Sequence, residues 1–216
     1  IEMKDEVADL LVLIAENQLN LGYPESAEGL LSRASELRPA LDMETDFIKA
    51  RVFLRTGRIQ QGIDLLLEHE LGTPENPPAR PQRFHRESSL LLSLFYAIQG
   101  EADLAETYAR QGIEMGRLLQ SGFVQSVGYM RLGHALMLQS QHPFNSDGFE
   151  RAMKYFTASI DRIDITRIHV EPMWGMCRAL GYTGNIHQAE ELAAKSLSIA
   201  KKAGDEWISI LIQLSL

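Results

Sequence analysis

The sequence predicts an all-α fold, a right-handed solenoid of antiparallel helix pairs, with about five pairs and a final helix. Three observations carry this. A short turn motif recurs along the chain, small residues recur at fixed offsets on both sides of it, and the apolar residues between turns keep helical spacing. The turns are Leu21-Gly22-Tyr23-Pro24-Glu25-Ser26-Ala27, Thr56-Gly57-Arg58-Ile59-Gln60-Gln61-Gly62, Gln99-Gly100-Glu101-Ala102-Asp103-Leu104-Ala105 and Thr183-Gly184-Asn185-Ile186-His187-Gln188-Ala189. In each, a glycine that can adopt the left-handed backbone ends one helix. A small residue five positions later lies early in the next helix, where two helices must approach closely.

The turn glycines are spaced 35, 43 and 84 residues apart, and the last gap fits two repeats. The intervening turn is expected near residue 140, where the polar stretch 139–148 reads as a longer loop. Seven residues before the turn glycines stand Ala15, Ala50, Ser93 and Cys177, with Gly133 filling the fourth repeat. Seven residues after the small post-turn residue stand Ala34, His69, Gly112, Ser159 and Ser196, small in all but one repeat. The helix pairs are therefore expected at 3–21 with 24–37, 42–56 with 59–70, 84–99 with 102–119, 121–140 with 148–164, and 169–183 with 186–203. A last helix is expected from about 205. Leu10, Leu11, Ile14, Leu19 and Leu21 mark the apolar positions of the first helix, and Leu91, Leu92, Phe95, Tyr96 and Ile98 those of the fifth. The segment 72–81 carries four prolines and cannot be helical throughout, so residues 71–83 form either a plain connection or a hinge within one superhelical domain spanning 1–216. Both chain ends read as helical, as expected for a piece of a longer polypeptide.

Composition narrows the function. The formal net charge of -8 argues against direct nucleic-acid binding, which rests on Lys and Arg neutralising phosphates. The single cysteine, Cys177, permits no internal disulfide and fits a reducing, cytoplasmic setting. No apolar run reaches membrane-spanning length, and no cofactor is expected. The six histidines lack metal-ligand spacing, and no nucleophile elbow or phosphate loop is present, so the chain reads as a binding module without catalysis or metal.

The repeat length and the small-residue columns, with Pro39 after the first pair, resemble the tetratricopeptide (TPR) pattern over nearly the whole chain. The stretches Asp161-Arg162-Ile163-Asp164-Ile165-Thr166-Arg167, Glu171 to Gly181 and Ala203-Gly204-Asp205-Glu206-Trp207 go further. They resemble the TPR-like region of bacterial regulators related to the MalT activator, of LuxR-type regulators, and of activators with a bacterial transcriptional activator domain. That resemblance implies the sensor or interaction segment of a transcriptional regulator, with DNA-binding elements elsewhere. A general scaffold for a protein or peptide, with no role in transcription, is the alternative.

In TPR stacks the first helix of each pair lines the concave face. The register there gives one row of Val12, Phe47, Leu90, Met130 and Trp174, a second of Glu16, Arg51, Leu94, His134 and Arg178, and a third of Asn20, Arg55, Ile98, Leu138 and Tyr182. Phe47, Arg51, Arg55, Met130, Arg131, His134, Glu171, Trp174, Arg178 and Tyr182 are the candidate binding residues. Arginine forks with aromatic surface suit a peptide, a protein segment or a small polar or anionic inducer. The plainer reading is structural: Trp174 as core, Arg178 paired with Glu171, Asp161 or Asp164, and Arg51 paired with Asp46 or Glu44. The lysine–asparagine clamp of chaperone-binding TPR domains is absent, since Val12, Glu16, Ile48 and Leu94 occupy its places. The last helix exposes an apolar edge including Trp207, Ile208, Ile210, Leu211 and Leu214, with Trp207, Ile208 and Leu211 a candidate homodimer contact.

Overall fold

The computed structural model describes residues 2–38, 43–69, 71 and 83–215. The linker 72–81, with its hinge reading, lies outside the described residues. Among those described there are eleven helices: α1 (Glu2–Asn20), α2 (Pro24–Leu37), α3 (Met43–Arg55), α4 (Ile59–Leu67), α5 (Arg83–Gln99), α6 (Ala102–Leu118), α7 (Gly122–Gln141), α8 (Ser146–Arg162), α9 (Val170–Tyr182), α10 (Ile186–Lys202) and α11 (Glu206–Gln213). Each packs on its neighbour in sequence, and the odd-numbered helices also pack on one another in turn, α1 on α3 through to α9 on α11. The result is a helix-pair solenoid with a continuous core. No helix among the described residues is long and apolar enough to cross a membrane.

The turns stop the helices as the glycine spacing requires. Gly22, Gly57, Gly100 and Gly184 all have positive φ, between 73° and 92°. At each, the next residue's N–H reaches back to close the helix end: Tyr23 to the Gln18 carbonyl, Arg58 to Phe53, Glu101 to Tyr96 and Asn185 to Leu180. Gly204 repeats the arrangement before α11 (φ 69°), with the Asp205 N–H bonded to the Ala200 carbonyl. Gln120, at φ 52°, does the same without a glycine, and the Ser121 N–H bonds to the Gly116 carbonyl. The loop expected over 139–148 is shorter: α7 runs through Gln141 and α8 starts at Ser146, capped by the Asn145 side chain accepting from the Gly148 N–H.

Small residues set the helix spacing. A Cβ on Gly62 of α4 would stand 2.3 Å from the Phe95 ring of α5. Phe156 of α8, fully buried, has its ring against Gly133 of α7 and Gly175 of α9, so one side chain ties three helices. Burying a ring of that size stabilises by roughly 1.5–3 kcal/mol. The serines of the small-residue columns are buried and hydrogen-bonded across helices: Ser93 donates to the Ala105 carbonyl (2.7 Å) and Ser196 to that of Val170 (3.2 Å). Ser159 is met by the Ser126 hydroxyl, which donates to its carbonyl at 2.8 Å. A buried hydroxyl without such a partner would cost about 1–3 kcal/mol.

Candidate functional site

Side-chain contacts that skip over intervening helices locate the inner face. Arg83 of α5 reaches Glu16 of α1 across α3. Arg55 of α3 lies over the indole of Trp207 of α11, 4.6 Å from its centre, with α5, α7 and α9 between them in the stack. Such contacts form only where the superhelix curves inward. The second and third rows of the register thus turn toward a narrow groove.

Phe47, Leu90 and Met130 of the first row do not. Phe47 and Met130 are buried, each 3 % exposed, as is Leu90. Phe47 packs with Ala50, Ile63 and Phe84 in the core of the second and third pairs. Both residues are corrected from binding candidates to core: their side chains lie on the seam where neighbouring helices close, whereas Trp174 of the same row is only partly buried. Glu16 and Arg51 bind each other at 2.8 Å, and Arg51 also donates to Asn20 at 2.7 Å. Asp46 and Glu44 are engaged elsewhere, Asp46 by His69 (2.9 Å) and Glu44 by the Phe84 N–H (2.8 Å). Burial opposes ionisation of Glu16, but the guanidiniums of Arg83 and Arg51 outweigh it and hold its carboxyl below the ordinary value. This end of the groove is a closed ion-pair network.

The other end is less balanced. Arg131 donates to Glu171, which leaves Arg178 without that partner. Arg178 instead lies over the Trp174 ring, 5.1 Å from its centre. The Trp174 indole N–H donates to the Ser215 hydroxyl at 2.9 Å, and its ring is half-buried beside α11. His134 is wedged between Phe156 (4.9 Å) and Trp174 (5.3 Å). Its Nε2 is buried with no hydrogen bond, 3.9 Å from Glu171. Burial, reinforced by Arg131 and Arg178, holds the His134 imidazole well below the ordinary histidine value, so it is neutral. Arg55 is affected first by burial, which pushes it down, while Asp205 and Glu171 pull it up and Arg51 and Arg131 push it down. Neither Arg55 nor Arg178 has an ion-pair partner among the described residues. Asp205 is committed to capping α11 through the Ile208 N–H and lies 3.7 Å from Arg167.

A cleft of about 660 Å³ opens between α9, α10 and α11, with Trp174, Arg178 and Tyr182 on one wall, Ala189 on another and Leu211 on a third. Tyr182 is stacked on buried Phe149 at 5.1 Å and is half exposed. Cys177 faces the same cleft but is nearly buried, and burial pushes its thiol up to about 11, which leaves it unreactive at neutral pH. Among the described residues no group of three or more His, Cys, Asp or Glu converges as metal ligands would.

The apolar edge of the last helix is also revised. Ile208 is buried with Val170, Cys177, Ala193, Ala200 and Ile212, and Leu211 packs against the same cluster. The apolar residues that α11 leaves exposed are Trp207, Ile210 and Leu214. The α11 helix seats on both α9 and α10, which turns Ile208 and Leu211 inward. The stacking of Arg55 on Trp207 had no signal in the sequence, because it joins helices 152 residues apart.

The groove and the helix pairs that shape it define a TPR-like repeat solenoid. The structure is similar to the crystal structure of a putative kinesin light chain from Podosopora anserina with nearly identical TPR-like repeats, at a TM-score of 0.60 and 15 % identity over 94 % of this chain and 98 % of that one. At that identity the likeness is one of fold. No family model matches the sequence, and no curated protein does.

Proposed function

We propose that this chain binds a protein or peptide partner through its inner groove, and that it does so as the sensor or interaction segment of a transcriptional regulator. The observation that carries the binding role is the pair of arginines held over tryptophan rings, Arg178 over Trp174 and Arg55 over Trp207. Each guanidinium is oriented by its ring while its N–H edge is met by no carboxylate among the described residues. Such a group is prepared for an incoming carbonyl or carboxylate at little further ordering cost. The TPR-like fold supports an interaction scaffold. The regulatory role rests on the resemblance of segments 161–181 and 203–207.

Selection from a displayed random-peptide library tests the binding role. Peptides that bind the protein and are lost in Arg178→Ala and Trp174→Ala, with both variants folded by circular dichroism, are the expected result. Binders insensitive to both substitutions would place the site elsewhere. The regulatory role predicts a DNA-binding module encoded alongside this segment; a gene without one leaves the general scaffold.

A further inference from the structure

We propose that the Arg55–Trp207 contact is a clasp closing the inner groove, and that an acidic segment of the partner opens it by drawing Arg55 off the indole onto its own carboxylates. The proposal rests on the groove reading above and adds to it the chemistry of the partner and a gate.

The contact has the features of a gate. It joins α3 to α11 by side-chain tips alone, and the two helices otherwise keep apart. The α11 helix is eight residues long, the shortest among the described residues, and its packing there is confined to α9 and α10. A clasp of this kind closes a wide loop of structure with one cation–π contact, a weak interaction where the ring is half exposed. A comparable gain elsewhere is enough to release it.

The competitor is set by charge. Arg51 and Arg131 lie within electrostatic reach of Arg55, Arg83 stands beside Arg51, and Arg178 stands beside His134. Most of the carboxylates facing them are already engaged: Glu16 by Arg51 and Arg83, Glu87 by Arg83, Glu171 by Arg131, and Asp205 by the α11 cap, while Glu190 on the cleft wall opposite Arg178 makes no ion pair among the described residues. Arg55 and Arg178 remain, and neutral His134 beside Arg178 adds no charge. Two carboxylates from one extended segment satisfy both arginines. The stacked ring that orients Arg55 is also what it must leave to present its fork to a carboxylate. On a chain of net charge -8, this local cationic strip is selective: an acidic guest is repelled elsewhere and accepted there.

Fluorotryptophan-labelled protein tests this by fluorine NMR, since the chain has two tryptophans and Trp207→Phe assigns them. Arg55→Gln should shift the Trp207 resonance in the free protein. Hexaglutamate should shift the wild-type resonance the same way, and hexaglutamine should leave it in place. Hexaglutamate affinity should fall about tenfold in Arg55→Gln, the effect of losing one hydrogen bond to a charged group, and weaken with added salt. Arg55→Lys, which keeps a cation within reach of the ring but not the planar fork, should move the resting Trp207 resonance less than Arg55→Gln does and still lose affinity. The proposal is overturned if hexaglutamate binds with Trp207 unmoved, or if it fails to bind a protein that does take peptides from the displayed library. In that second case the groove reading survives; if no library peptide binds either, both fail.

Discussion

Individual side chains in the groove are held in states that water would not favour. His134 is the sharpest case, a neutral imidazole packed on Phe156 and Trp174 beside Arg131, Arg178 and Glu171. The unfolded chain binds that proton more readily than the fold does. His134 therefore leaves stability undiminished above its ordinary value of 6.5, and subtracts as pH falls below it. The loss approaches about 1.4 kcal/mol per pH unit for one proton. Glu16, Glu28 and Glu106 are held below their ordinary 4.5, so their stabilisation is lost only at lower pH. Urea midpoints between pH 6.5 and 5 should fall in the wild type and stay nearly flat in His134→Leu. Equal slopes in the two proteins would show that the imidazole is not the titrating group.

The helices are individually ordinary; what matters is how closely they approach. Glycine in a helix usually costs up to about 1 kcal/mol relative to alanine. Gly29 in α2 has open space around it, so Gly29→Ala should stabilise by up to about that amount. Gly62 in α4 faces the Phe95 ring, so Gly62→Ala should destabilise by roughly 1–3 kcal/mol despite the same gain in helix propensity. Gln120, which ends α6 in a left-handed conformation, should gain up to about 1 kcal/mol as Gln120→Gly. Chemical denaturation of the three variants reads all of these, and a stabilised Gly62→Ala would mean that α4 and α5 pack less closely than described.

For the whole molecule, stability is a sum of pairs and the interfaces between them. The interior pairs have packed neighbours on both sides, whereas α1 and α11 each leave an apolar face uncovered: Met3, Val7, Leu10 and Leu13 on α1, and Trp207 and Ile210 on α11. Amide hydrogen exchange should therefore be graded, fastest in α1 and α11 and slowest in α7 and α8. Phe156→Ala removes the ring joining α7, α8 and α9, should cost about 3–5 kcal/mol, and should flatten that gradient. Uniform protection along the wild-type chain would instead indicate a single cooperative unit.

The helices, their order and their turns were legible in the sequence because they depend on local rules. Glycines at Gly22, Gly57, Gly100 and Gly184 stop helices whatever surrounds them, and small residues such as Ala27 and Gly133 mark close approach by their size alone. The Gln120 turn was hidden, since no glycine announced it. The groove was only half legible. Counting through the register found the helix faces that carry Arg51, Arg55 and Arg178, but a rotation of a fraction of a turn separates groove from core. Packing settled that rotation, burying Phe47, Met130 and Ile208. The pairing of Arg131 rather than Arg178 with Glu171, and the meeting of Arg55 with Trp207, depend on how tightly the superhelix curves. Curvature is the accumulated result of small rotations at every helix interface, and no single stretch of sequence encodes it.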